Sequence, residues 1–123
     1  MGKIVAVIGA SANRRKFGNK AVRAFRDAGY TVVPINPHEQ TIEGVPCFRS
    51  VLDVPGTIDM VTVYLPPDAL SPVLRELAAR PVGEVWLNPG ADRDDVVAAA
   101  RALGLHVIVA CSILGVGQRP EAY

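Results

Sequence analysis

The chain has 123 residues, half of them hydrophobic and one fifth charged, with a formal net charge of +1. That length suits one compact core and is short for two ordinary domains, so residues 1–123 are expected to form a single domain. The near-neutral balance speaks against a nucleic-acid-coating surface. No apolar run approaches the roughly 18 residues that cross a bilayer, and the Met-Gly-Lys start leads into a strand rather than a signal peptide, so no membrane contact and a cytoplasmic location are expected.

Lys3 to Ser11, KIVAVIGAS, reads as an apolar strand that breaks at Gly9 into a loop of small residues. The loop passes through the basic run Arg14-Arg15-Lys16 to Gly18, and Ala21, Val22, Phe25 and Ala28 then recur at helical spacing until Gly29. Strand, glycine loop and helix in this order open a nucleotide-binding α/β unit. Gly9 and Ala10 let phosphate oxygens approach the main chain, and the helix start offers free N–H groups and positive polarity. Thr31 to Ile35 is a β-branched strand ending in Asn36-Pro37; residues 38–48 carry turn signals and little periodicity and are expected to be a loop. Ile58 to Leu65 is the third strand, stopped by Pro66-Pro67 before a helix with apolar positions Leu70, Val73, Leu74 and Leu77. Glu84 to Leu87 is the fourth, running into Asn88-Pro89-Gly90-Ala91. Asp92 then stands where an N-cap belongs for a helix from Val96 to Leu103, closed by Gly104. Leu105 to Ala110 is the fifth. Strands alternating with helices predict an α/β fold: a doubly wound, mainly parallel five-stranded sheet, Rossmann-like, covered on both faces.

In such a sheet the ligand crevice lies beyond the carboxyl ends of the strands, so the loops there carry the chemistry. The glycine spacing is neither G-x-G-x-x-G nor a G-K-[ST] phosphate loop, which speaks against ordinary dinucleotide binding and NTP hydrolysis. Asn36 stands where an acid would accept from an adenosine ribose, which disfavours NAD. Cys111 with His106 or His38 is the sole thiol–imidazole option. His106 begins the strand that Cys111 follows, too far along an extended chain for contact, so Cys111 reads as a partly buried small hydrophobe and no catalytic residue is assigned. His38 and His106 have no close third ligand for a metal, and Cys47 and Cys111 are expected to be free thiols. Plainer roles stand beside the ligand roles. Gly18 can serve a close helix–sheet approach, Ser11 a local amide, and Asn36-Pro37 and Pro66-Pro67 simple turns. Trp86 can be core and Tyr64 packing or surface. Of the run Arg14-Arg15-Lys16, at least one cation is expected to reach an anion, since no acidic neighbour in the loop pairs it.

Gly9-Ala10-Ser11 after the first strand, Asn36-Pro37 after the second, Gly44-x-Pro46, Pro66-Pro67 after the third and the run from Trp86 to Gly90 together resemble the small stand-alone CoA-binding domain family. That family is similar to the N-terminal CoA-holding domain of the succinyl-CoA synthetase alpha subunit. The likeness runs from Lys3 to about Ser112. It implies a cytoplasmic, non-catalytic module that binds coenzyme A or an acyl-CoA. Carried over by position, Gly9, Ala10 and Ser11 would meet the pyrophosphate, with Arg14, Arg15 and Lys16 as counter-charges. Asn36 and Pro37 would flank the adenosine, Pro66 and Pro67 would line the face taken by adenine or the pantetheine arm, and Trp86, Asn88 and Gly90 would close the far side. Two departures stand out. His38-Glu39-Gln40 follows Asn36-Pro37 where many relatives carry a base suited to the 3′-phosphate of CoA, and Asn88-Pro89-Gly90 replaces a Gln-x-Gly. The synthetase's phosphorylated histidine belongs to a second domain with no counterpart in this likeness, so ligase activity is not implied. The alternatives are an NAD(P)-binding oxidoreductase-like protein, or an interaction domain that has lost its ligand. The apolar stretch Ile113-Leu114-Gly115-Val116 is expected to lie uncovered after the fifth strand and to help form a symmetric homodimer.

Overall fold

The computed structural model describes residues 3–123. The first strand, β1 (Ile4–Ile8), is buried almost throughout and lies between β2 (Thr31–Ile35) and β5 (Met60–Val63), both parallel to it. β6 (Glu84–Leu87) and β7 (His106–Val109) continue the sheet, giving the order β2-β1-β5-β6-β7 with every neighbouring pair parallel. The registers Ile8 with Ile35, Ile8 with Val63, and Val63 with Leu87 bring the carboxyl ends of the strands to one edge. After β2 the chain crosses to the other side of β1, and the order reverses between β1 and β5.

Alternation along β1 divides the core. Val5 and Val7 pack under α1 (Phe17–Asp27) with Ala21, Val22 and Phe25. Ala6 and Ile8 face the opposite layer, where α2 (Leu70–Ala78) contributes Leu70, Leu74 and Leu77 and α3 (Asp94–Ala102) contributes Val96 and Ala100. The sheet is thus covered on both faces, a doubly wound Rossmann-like α/β fold as the sequence pattern predicts. No helix among the described residues is long and apolar enough to cross a membrane.

Three expectations change. Residues 38–48 are not a plain loop: β3 (Thr41–Ile42) and β4 (Val45–Pro46) form an antiparallel hairpin whose turn residues, Glu43 and Gly44, both take positive φ. Two-residue strands are too short to display alternation in sequence, yet Ile42 is buried and anchors the hairpin on the α1 layer. Asp92 does not cap α3. Its carboxylate accepts from the Gly90 N–H at 3.2 Å within the preceding turn, and α3 starts after Arg93 with no side-chain cap. The stretch Ile113–Val116 does not lie uncovered either. Ser112–Gly115 is a short helix, α4, that buries Ile113 against the α1 layer, and a Cβ on Gly115 would stand 2.7 Å from the Trp86 ring. Leu114 alone of the stretch's larger side chains points out, 59% exposed, so the apolar patch behind the expected homodimer is mostly consumed within the chain.

Candidate functional site

At the reversal point a cleft of about 1160 Å³ opens over the carboxyl ends of the strands. Its lining includes Gly9, Ala10, Ser11, Lys16, Asn36, Pro37, Pro66, Pro67, Asn88 and Gly90, so most of the residues singled out from the sequence share one wall-to-wall space. Arg14 and Arg15 stand outside the lining.

The floor is made by close main-chain approach. Gly9 has φ +83°, and a Cβ there would lie 2.8 Å from the Tyr64 carbonyl oxygen; a Cβ on Gly18 would collide with the Gly9 carbonyl. Gly18 therefore lets the start of α1 descend onto the end of β1, the packing role weighed for it above. α1 starts after Lys16 with no side-chain cap and no acid in its first turn, so its leading N–H groups are left without a protein carboxylate. The loop before it is stiffened locally: the Ser11 hydroxyl accepts from the Asn13 N–H at 3.0 Å and the Asn13 amide oxygen from the Arg15 N–H at 3.0 Å.

The basic run is split. Arg14 is held by Glu43, Nε to Oε2 3.4 Å, and the same carboxylate oxygen accepts from Asn19 Nδ2 at 3.1 Å. Glu43 arrives on the hairpin turn, which Arg26 pins through the Glu43 carbonyl at 2.9 Å. The expectation that no acid pairs these cations thus fails for Arg14, and the reason is a hairpin where the sequence reading expects a plain loop. Lys16 lines the cleft and joins none of the ion pairs found among the described residues.

Both asparagines are occupied. Asn36 donates to the Ala10 carbonyl at 2.9 Å and accepts from the His38 N–H at 2.7 Å, tying the first two loops together. Asn88 is 2% exposed. Its Nδ2 donates to Thr62 Oγ1 at 2.7 Å and to the Val63 carbonyl at 2.9 Å, while its Oδ1 accepts from the Ser112 N–H at 2.8 Å. Ser112 Oγ lies 2.6 Å from Thr62 Oγ1 and 3.1 Å from the Tyr64 hydroxyl, which closes a neutral network. Burial pushes the Tyr64 phenol above its ordinary pKa, against the opposing pull of Ser112 and Thr62, so it enters the network uncharged. Asn88 therefore shapes the wall from behind rather than offering a free amide to a ligand.

Sequence reading did not assign several lining residues. Tyr64 and Phe17 face each other across the floor with rings nearly parallel and centroids 6.5 Å apart; the position of Tyr64 just before Pro66-Pro67 was a usable signal. His38 and Arg49 line the opening near Asn36-Pro37. Trp86, by contrast, is off the cleft, its indole N–H donating to Glu84 at 3.1 Å. Cys111 lines the cleft, and both cysteines are free. Burial, then the Glu39 carboxylate, push the Cys47 thiol up. Among the described residues no cluster of His, Cys, Asp and Glu stands ready for a metal ion.

Comparison with known proteins gives the same direction. A family model described as a CoA binding domain matches residues 3–117. The chain is 35% identical over 89 residues to the ADP-forming acetate–CoA ligase I of Archaeoglobus fulgidus, a match that covers 72% of this chain but only 13% of the ligase. A solved conserved hypothetical protein of Pyrococcus furiosus superposes with a TM-score of 0.83 at 28% identity, covering 94% of this chain and 99% of that one. A Thermus thermophilus structure superposes at 0.82 with 32% identity, covering 92% and 87%.

Proposed function

The chain belongs to the CoA binding domain family, and from that membership we propose that it is a cytoplasmic, non-catalytic module that binds coenzyme A or an acyl-CoA. The observation that carries the reading is the uncapped, acid-free start of α1 over Gly9, with Lys16 beside it, at one end of a cleft of about 1160 Å³. Main-chain N–H groups and a helix N-terminus suit a pyrophosphate. The volume lies at or beyond the upper end of the ~300–1,000 Å³ usual for small-molecule sites, which favours a long ligand over a small metabolite. Pro66 and Pro67 on the far wall give the apolar surface that adenine or a pantetheine arm needs. The hydroxyls and amide behind that wall are spent on one another, so they leave no oriented nucleophile–base pair there.

Parallel calorimetric titrations with CoA, NAD, NADP and ATP test it. Saturable heat is expected from CoA alone. Preferential binding of NAD or NADP overturns the reading in favour of an oxidoreductase-like protein, and silence from all four favours an interaction domain that has lost its ligand.

A further inference from the structure

We propose that Arg49 reads the phosphomonoester on the adenosine ribose, the 3′-phosphate of CoA, and so replaces the base missing after Asn36-Pro37; the assignment rests on the CoA reading above. Phe48 forms a parallel bridge to Ile35, its N–H donating to the Pro34 carbonyl at 3.0 Å and its carbonyl accepting from the Asn36 N–H at 2.9 Å. Arg49 is therefore carried on a strand-like segment laid along the outer edge of β2, level with Asn36-Pro37. Pro34 lacks an N–H but presents its carbonyl on that side, which fits an edge strand extended by a bridge. On the other flank Ser50 is fixed, its hydroxyl donating to Glu76 Oε1 at 2.7 Å and accepting from the Leu52 N–H at 3.1 Å. The backbone of Arg49 is thus held on both sides while its side chain is exposed and lines the cleft.

In doubly wound sheets with phosphates over the first strand, the adenosine ribose lies beyond the end of the second. A cation there meets whatever phosphate the ribose carries. The guanidinium of Arg49 joins none of the ion pairs found among the described residues, whereas Arg14 is taken by Glu43. Lys16 stands at the start of α1, where it serves the pyrophosphate. The planar guanidinium fork matches a terminal phosphate in a bidentate way.

The test compares CoA with 3′-dephospho-CoA by calorimetry on the parent protein and on Arg49→Ala. Arg49 is exposed and unpaired, so its removal leaves the fold intact, which a thermal melt of the variant verifies. The parent is expected to bind CoA about ten-fold more tightly than dephospho-CoA. In Arg49→Ala the CoA affinity should fall to the dephospho-CoA level while dephospho-CoA binding stays unchanged. Equal affinity of the parent for both ligands, or an equal loss for both in the variant, overturns the Arg49 assignment and leaves the CoA reading standing. An Arg49-dependent preference for NADP over NAD moves the phosphate to the 2′ position and also overturns it. Absence of binding by either CoA or dephospho-CoA in the parent removes the CoA reading and this assignment together.

Discussion

On the β1 and β2 side of the cleft the groups facing the opening include the uncapped amides of α1, Lys16, His38 and Arg49, with the Glu121 carboxylate already paired to Arg119. On the β5, β6 and β7 side they include Pro66, Pro67, the Tyr64 phenol, whose hydroxyl is already bonded to Ser112, and the Glu76 carboxylate of α2, which accepts from the Ser50 hydroxyl. One half is left electrically unfinished and the other is internally complete. A region with spare N–H groups and cations gains most from an anion that water cannot match in multiplicity, whereas a wall whose polar groups are satisfied within the protein contributes shape and apolar contact. On the proposed CoA reading, one half would recognise charge and the other would position an uncharged arm, and the two halves should respond differently to mutation.

The most damaging way to break the contrast is to open the neutral wall. Asn88→Ala removes an acceptor from the buried Ser112 N–H and donors from Thr62 and the Val63 carbonyl. Leaving buried polar groups unpaired costs ~1–3 kcal/mol each, so a loss of about 3 kcal/mol is expected in urea unfolding. Asn88→Asp should recover only part of this, because a carboxylate can accept from Ser112 but cannot donate to Val63. A loss below ~1 kcal/mol for Asn88→Ala would mean that water restores the network and that the wall is not closed.

A second break acts on the charged half through its geometry. Gly to Ala inside a helix ordinarily gains up to ~1 kcal/mol, but at Gly18 the new methyl would meet the Gly9 carbonyl, with the Ala10 Cα at 3.3 Å. Backbone on both sides must move, so the sign reverses and a loss of about 2 kcal/mol is expected in the same unfolding experiment. CoA affinity should fall as well, since the shift separates the α1 amides from the Gly9 loop. A stability gain would show that α1 rides freely on β1.

The framework of both halves was legible in the sequence because the first four of the five main strands are apolar runs ended by glycine, asparagine or proline, a pattern that needs no partner to be read, and the fifth is an apolar run that ends at Cys111. What stayed hidden depends on contacts between distant segments. The hairpin has strands of two residues, so it shows no alternation, and with it went the pairing of Arg14 by Glu43 and the delivery of Arg49 to the edge of β2. Asn88 could be placed at the end of its strand, but its bonds to Thr62 and Ser112 follow from the register of β5 and the turn into α4, which the linear pattern does not contain. Pro66-Pro67 and Asn36-Pro37 were found because proline fixes the backbone locally, which is why the mouth of the cleft was easier to see than the identity of the cations inside it.

The finest test separates the cations of the loop from one another. If the charged half works through Lys16, then Lys16→Ala should weaken CoA binding about five-fold at low ionic strength, as expected for one charge-assisted contact at an exposed site. Arg14→Ala should do almost nothing to binding, because Arg14 lies outside the lining and already faces Glu43. Arg15→Ala should be equally silent, so the triple replacement of Arg14, Arg15 and Lys16 should match Lys16→Ala alone. The Lys16 effect should shrink as salt rises, since the side chain is exposed and the attraction is screened over about 8 Å at physiological ionic strength. Calorimetric affinities for the parent and the four variants at two salt concentrations decide the matter: a triple variant much weaker than Lys16→Ala would restore the whole basic run to the anion site, and salt-independent losses would place the role of Lys16 in packing rather than charge.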